Sequence, residues 1–349
     1  MTLRFDFRRY RLPLRMPVRT ARGVITAREG VVVRLETEAA KGLGEAAPLE
    51  GFGGGSVDEM AAVCAGFGEF VDARVLDGVP ASLACLRHAL VAARKELAAD
   101  SADEPVRPAE PGAAYLAVAA LVPAGSAAID VVREKGDAGF RTFKWKVGVG
   151  DAADELALLD DVCAALPPGA KLRLDANGAW DRRRAERWLE RCAERPVEFV
   201  EQPCGADAAP SAARDKREDL LLGLAGDFPT PIALDESLAG DGDVERWLGL
   251  GWPGVFVIKP SLHADVDETL AQLARAKATV VFSSALETAI GARAALRQAF
   301  AWRGGKRALG FGVWPLFADA RCDGPAAAPF LRREDVERID AEAVWNALR

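Results

Sequence analysis

Residues 142–203 read TFKWKVGVGDAADELALLDDVCAALPPGAKLRLDANGAWDRRRAERWLERCAERPVEFVEQP. Three short runs rich in β-branched and aromatic residues (142–147, 171–176 and 197–202) are separated by amphipathic stretches long enough for helices. Strand and helix signals that alternate in this way imply parallel strands joined by crossover helices. The same texture extends in both directions. Further strand candidates cover 113–122, 232–236, 255–259, 279–284 and 308–313, with seven helical stretches between the eight. Eight such units in about 200 residues match a (β/α)8 TIM-like barrel of the α/β class better than an open sheet.

The first hundred residues have a different character. Residues 5–14 alternate loosely, and 30–38 (GVVVRLETE) form a strong strand by β-branched content. Residues 20–24 read as a loop, and the four glycines of 51–55 as a mobile connection. Ser56 is a candidate N-cap for a helix over 57–73, and a second helix is expected over 81–99. The Pro-rich polar stretch 100–112 reads as a linker. The expected organisation is an α+β capping domain over 1–105 and a barrel over 106–315. Residues 316–349 are expected to return to the cap.

Composition narrows the function. The 349 residues are 50% hydrophobic and 28% charged, which excludes a disordered or fibrous chain. A net charge of −7 supplies no basic field for nucleic acid or anionic lipid. The longest apolar runs, such as 117–123, are too short to span a bilayer, and no signal-like apolar segment opens the chain. The expectation is a cytoplasmic protein with a small-molecule partner and no nucleic-acid or membrane partner; its oligomeric state stays open. Six scattered cysteines (Cys64, Cys85, Cys163, Cys192, Cys204, Cys322) form no C-x-x-C pair and read as free thiols. The only histidines are His88 and His263. With so little of the usual general base, an active site here has to use lysines and carboxylates.

In a parallel barrel, chemistry gathers at the C-terminal ends of the strands. Those ends carry Lys144 and Lys146 on the second strand, Asp175 on the third, Glu201 on the fourth, Asp235 on the fifth and Lys259 on the sixth. Three acids converging on one mouth repel one another unless a cation holds them. All-oxygen donors favour Mg²⁺ or Mn²⁺. Lys144 and Lys146 are two apart, so they share a strand face. Beside a divalent cation and a second ammonium, a lysine pKa falls, and the amine becomes a base. Taken singly, each residue has a plainer reading. A K-x-K pair is commonly a solvated strand face, and Asp175 or Asp235 serves equally well as a helix N-cap. Their ordered placement on strands two to six favours function.

The runs KWK, LRLDANGAW, EFVEQP, ALDES and VIKPSL, in this order and spacing, resemble the enolase superfamily, muconate-lactonizing subgroup, over essentially the whole chain. A Lys or His base with Mg²⁺ stabilising an ene-diolate is the pattern described for that superfamily. The resemblance implies Asp175, Glu201 and Asp235 as Mg²⁺ ligands, with Lys146 and Lys259 on opposite faces of the substrate. The K-P-x-L run at 259–262 and the S-S-x-x-E run at 283–287 are similar to those of the o-succinylbenzoate synthases. That family implies syn dehydration of 2-succinyl-6-hydroxy-2,4-cyclohexadiene-1-carboxylate, a dicarboxylate, to a menaquinone precursor. Lys146 is then the base, Lys259 an electrostatic partner, and Lys144 a support for the carboxylate or for the pKa of Lys146. Arg173, Ser283 and Ser284 are implied as substrate contacts, with Arg22 and the 51–55 loop closing from the cap. N-acylamino acid racemases and dipeptide epimerases use the same lysines as paired bases and are the alternative.

Overall fold

The computed structural model describes residues 2–20, 23–100, 113–205 and 211–348. The N-terminal part is built on an antiparallel sheet of β1 (Leu3–Thr20), β2 (Gly23–Glu36), β3 (Lys41–Ala46) and β4 (Phe70–Val71), in the order β3-β2-β1-β4. β1 and β2 form a ribbon much longer than the sequence pattern indicates. It stays paired from Arg4 with Glu36 to Thr20 with Gly23, broken by a register shift between Pro13 and Val18. The helix expected over 57–73 ends at Gly66. Gly68, at φ +74°, turns the chain. Phe70–Val71 then joins the sheet edge, and Asp72 caps a new helix, Ala73–Asp77.

One face of this sheet packs on the helix Ala84–Asp100. The approach is close enough to require glycine: a Cβ on Gly44 would stand 1.9 Å from the carbonyl oxygen of Ala89. The resulting core includes Val31, Val33, Leu35, Leu86, Ala89 and Leu90, and it extends to Leu262 and Ala285 from barrel loops.

Next come β5 (Tyr115–Ala117), β6 (Ala120–Val122), β7 (Thr142–Lys146), β8 (Lys171–Asp175), β9 (Val197–Glu201), β10 (Ile232–Leu234), β11 (Val255–Ile258) and β12 (Thr279–Phe282). β6 to β12 pair in sequence order as a parallel sheet. Seven helices of the described residues connect or follow them, from Ala127–Asp137 to Ala289–Ala301. The first expected barrel strand is split. β5 turns away to pair antiparallel with β13 (Phe330–Arg332), and only β6 enters the barrel. The eighth, expected over 308–313, is reduced to bridges of Leu309 with Val118 and Gly310 with Ser283. These contacts close the cylinder between β12 and β6. Glycine explains the short strand. A Cβ at Gly310 would lie 2.6 Å from Ser283 Oγ, and one at Gly312 2.5 Å from the Ala119 carbonyl.

The last segment runs back to the N-terminal sheet. Leu14 bridges Phe317, and the Arg8 guanidinium donates to the Leu348 carbonyl at 2.8 Å while lying 4.3 Å from the Trp345 ring. The linker expected over 100–112 lies outside the described residues, apart from Asp100, which ends its helix. Among the described residues no helix is long and apolar enough to cross a membrane.

Replacing Gly44 with Ala forces the sheet off the helix Ala84–Asp100. We expect a loss of about 3 kcal/mol, read as a lower denaturant midpoint at unchanged slope.

Candidate active site

A cavity of about 700 Å³ lies between the cap and the C-terminal ends of the barrel strands. Its floor is ionic. Lys144, Lys146, Asp175, Asn177, Asp235 and Lys259 all line it, carried by β7, β8 and the residues just after β8, β10 and β11. Its walls are largely apolar, and much of them comes from the cap, including the 51–55 loop expected to close there. The tip of the β1–β2 ribbon supplies Met16, Val18, Val24 and Ile25, and the loop after β3 supplies Leu49 and Phe52. Arg22 lies outside the described residues.

The register explains the convergence. Lys146 pairs with Asp175 across β7–β8, and Asp175 with Glu201 across β8–β9. Lys144 Nζ lies 2.9 Å from Asp175 Oδ2 and 2.7 Å from Glu201 Oε1. Burial opposes its charge, but Asp175, Glu201 and Asp235 outweigh that and hold its pKa above the ordinary lysine value. Lys259 makes an ion pair with Asp235, and its ammonium sits 4.6 Å from the Phe52 ring centre. Lys146 differs. It donates to Asn177 Oδ1 at 2.6 Å and, among the described residues, has no carboxylate partner within bonding reach. Burial pushes its pKa down, and repulsion from Lys144 adds to this against the pull of Asp175. Lys146 is therefore the ammonium of the floor best prepared to become an amine.

The acids show the cost of their placement. Burial pushes Glu201 up to about 8, and Asp175 and Asp235 add repulsion that Lys144 and Lys259 offset. Glu236 is pushed up to about 7, first by burial and then by Asp235 and Asp175. Its Oε1 accepts from Asn177 Nδ2 at 3.1 Å. Among the described residues no three acids are drawn together tightly enough to cage an ion in the present side-chain arrangement. Lys144 stands between Asp175 and Glu201, and Lys259 holds Asp235. The donor set still fits a hard divalent cation. Three carboxylates from consecutive strands, buried and mutually repelling, gain most from a charge of two, and swinging the lysines aside exposes their oxygens.

Two further residues support the site. Gln202, fully buried at φ +37°, accepts from the N–H groups of Asp235 and Ser237, each at 3.1 Å. It also donates to the Cys204 carbonyl and to Ser237 Oγ at 2.9 Å. One side chain thus ties the end of β9 to that of β10. Asn177, at φ +45°, links Lys146 to Glu236. A non-glycine residue with positive φ at a strand end is the structural signal, and sequence alone does not display it.

The remaining expected residues fall as follows. Ser283 and Ser284 line the cavity, on the loop after β12. Arg173 does not reach it. Its side chain is buried in the barrel below, 2.6 Å from Glu198 Oε2 and 2.8 Å from the Ala308 carbonyl, over the Phe199 ring. A bulge at Glu198, where Leu172 and Arg173 pair with Val197 and Phe199, brings that acid within reach. Trp180 and Trp314 are packing residues; Trp180 stacks on Trp188 at 5.0 Å. His88 and His263 meet at the cap–barrel junction, with His88 Nδ1 3.1 Å from the His263 carbonyl. The six cysteines are free thiols, and burial pushes those at 64, 85, 192 and 204 up to about 12.

Residues 127–326, more than half of the chain, match the model of the enolase C-terminal domain-like family. The chain belongs to the enolase superfamily. Residues 3–72 match the MenC N-terminal domain. The chain is 38% identical, over 89% of its length and 92% of the relative's, to the o-succinylbenzoate synthase of Thermosynechococcus vestitus. It is 33% identical, over 69% of its own length and 71% of the relative's, to a hydrophobic dipeptide epimerase of Roseobacter litoralis. The crystal structure of o-succinylbenzoate synthase from Thermosynechococcus elongatus BP-1, with Mg in the active site, superposes with a TM-score of 0.80. The identity is 36%, over 99% of this chain and 100% of that one.

Gln202→Leu leaves the N–H groups of Asp235 and Ser237 unpaired. A loss of about 2 kcal/mol in unfolding free energy is expected by denaturant titration, together with weaker binding of Mg²⁺ by calorimetry.

Proposed function

We propose that this chain catalyses the o-succinylbenzoate synthase reaction, the Mg²⁺-dependent syn dehydration of 2-succinyl-6-hydroxy-2,4-cyclohexadiene-1-carboxylate. The observation that carries the reading is the floor of the cavity. Lys146 and Lys259 stand on strands separated by β8, β9 and β10, with the three acids between them. The relatives support the same reaction. With it go a cytoplasmic location and the division into a cap (1–105), a barrel (106–315) and a returning segment (316–349).

Asp175, Glu201 and Asp235 would hold the Mg²⁺, or Mn²⁺ in its place. When bound, the ion polarises the ring carboxylate and makes the proton beside it acidic enough to remove. Lys146 is the residue on which the proton chemistry turns. As the amine it takes that proton, and as the ammonium it returns one to the departing ring hydroxyl on the same face. Lys259 stays charged above the opposite face and stabilises the negative charge that develops. Lys144 disfavours the charged form of Lys146, and it compensates the acids whenever the ion is away. Aromatisation of the ring makes the step downhill. The apolar cap residues exclude water around the ring, while Ser283 and Ser284 offer hydroxyls to the succinyl carboxylate. Arg173 acts at a distance, by keeping the barrel interior below Asp175 rigid.

Epimerisation of an N-acylamino acid or dipeptide is the second reading. Identity to a dipeptide epimerase supports it, as does a lysine on each face. Solvent deuterium entering the α position of a dipeptide, without dehydration of the cyclohexadiene substrate, would decide for it.

Lys146→Ala is expected to lower turnover by at least 10³-fold, followed as the ultraviolet change on aromatisation, while Mg²⁺ binding survives. Retained activity would remove Lys146 from the base role. Chelation of divalent ions should abolish turnover in the wild type, and Mg²⁺ or Mn²⁺ should restore it.

A further inference from the structure

The loop after β12 holds a buried acid that the reaction does not use. Glu287 is fully buried; one oxygen, Oε2, lies 2.6 Å from Ser284 Oγ, and Oε1 has no hydrogen-bond partner. It stands just before the helix Ala289–Ala301, whose N-terminus would ordinarily welcome a carboxylate. That place is taken. Glu45, reaching over from β3, accepts from the N–H groups of Thr288 (3.0 Å) and Gly291 (2.9 Å) and from the hydroxyls of Tyr10 and Thr288. Arg28, on β2, is the cation at this junction. It spends its donors on the carbonyls of Ala47, Pro48, Ala285 and Leu286. The charged and titratable groups facing Glu287 are thus the Glu45 carboxyl, whose oxygens already accept from four donors, the Tyr10 phenol and a committed guanidinium. No lysine or arginine among the described residues forms an ion pair with it. Two acids at one helix end, in a site closed to water, do not both ionise. Burial is the main force that pushes Glu287 up to about 7, and Glu45 adds to it, against the Ser284 hydroxyl and the N–H groups of Glu287 and Ala285, which favour the charged form.

The consequence falls on Ser284, which lines the cavity. Its oxygen already accepts from the Leu286 N–H at 2.9 Å. A serine hydroxyl has one hydrogen to give. If Glu287 is ionised, that hydrogen goes to Glu287. If Glu287 is protonated, the acid donates to Ser284, and the serine hydrogen is released toward the cavity.

We propose that Glu287 is a positioning residue that carries a proton in the working enzyme, so that Ser284 is turned to donate to a carboxylate of the bound ligand. The proposal rests on the functional reading above only for the identity of that ligand. Above the pKa of Glu287 binding must take up a proton, and affinity falls by up to about tenfold per pH unit.

Two measurements test it. Infrared difference spectra of wild type against Glu287→Gln at pH 6 should show the carbonyl stretch of a buried carboxylic acid, lost in the variant. Calorimetry of Mg²⁺-loaded protein with o-succinylbenzoate should show wild-type affinity falling about tenfold or more from pH 6 to pH 8.5. Glu287→Gln, whose amide donates to Ser284 at every pH, should reduce that fall to threefold or less. Ser284→Ala should bind weakly throughout, with the same flattened profile. Absence of the carbonyl band, or an equal pH dependence in wild type and Glu287→Gln, overturns the proposal. Wild-type protein that binds no o-succinylbenzoate at any pH counts against the functional reading, and the infrared band then decides the state of Glu287 by itself.

Discussion

Three buried carboxylates have to coexist at the mouth of one barrel, and much of the site follows from that constraint. Parallel pairing in register carries Asp175, Glu201 and Asp235 to neighbouring strand ends, where Asp175 and Asp235 raise the cost of ionising Glu201. Lys144 and Lys259 are the internal compensation. They bond to the same oxygens a divalent cation would use, so binding the ion and freeing the lysines are a single exchange. Lys146 stands outside the exchange, tied to the neutral Asn177. Lys144 is thereby held as a cation, while burial leaves Lys146 readier than an ordinary lysine to give up its proton, without any histidine.

The cap meets a related constraint. A sheet and a barrel that bury polar loop backbone between them must satisfy it. Arg28 and Glu45 do this with opposite charges. The guanidinium takes the carbonyls of the loop after β12, and the carboxylate takes the N–H groups that follow. The loop so gripped is the one that presents Ser283 and Ser284. A change in how the cap sits therefore reaches these two serines at the cavity wall through a few hydrogen bonds, while the lysines and acids sit at the ends of barrel strands.

How much of this was legible in the sequence depends on how far apart the cooperating residues lie. The acids and lysines recur once per strand–helix unit, and the period itself marks the strand ends. The barrel and the ionic floor were readable for that reason. The helix-end partners of Glu45, Thr288 and Gly291, are 243 and 246 residues away, and no local pattern announces them. Arg173 shows the opposite error. It shares a strand face with Asp175, two residues on, but one pleat deeper is already inside the closed barrel, where Glu198 and a carbonyl claim it. The split first strand and the shortened eighth strand have a tertiary cause as well. The returning segment pairs with β5, and glycines let two backbones approach where the cylinder closes.

The cavity divides its work along the same line as the fold. Chemistry sits on barrel strands, whose geometry is fixed by hydrogen-bonded neighbours on both sides. The surfaces that shape the ligand come from a hairpin tip and two loops, which can change length and side chains without disturbing strand register. Phe52 is one point of contact between the two halves, since its ring from the cap lies against the Lys259 ammonium from the barrel. A ligand ring entering the floor would compete with Phe52 for that cation. That ammonium, paired with Asp235 on one side and lying against Phe52 on the other, ties the cap loop to the ionic floor.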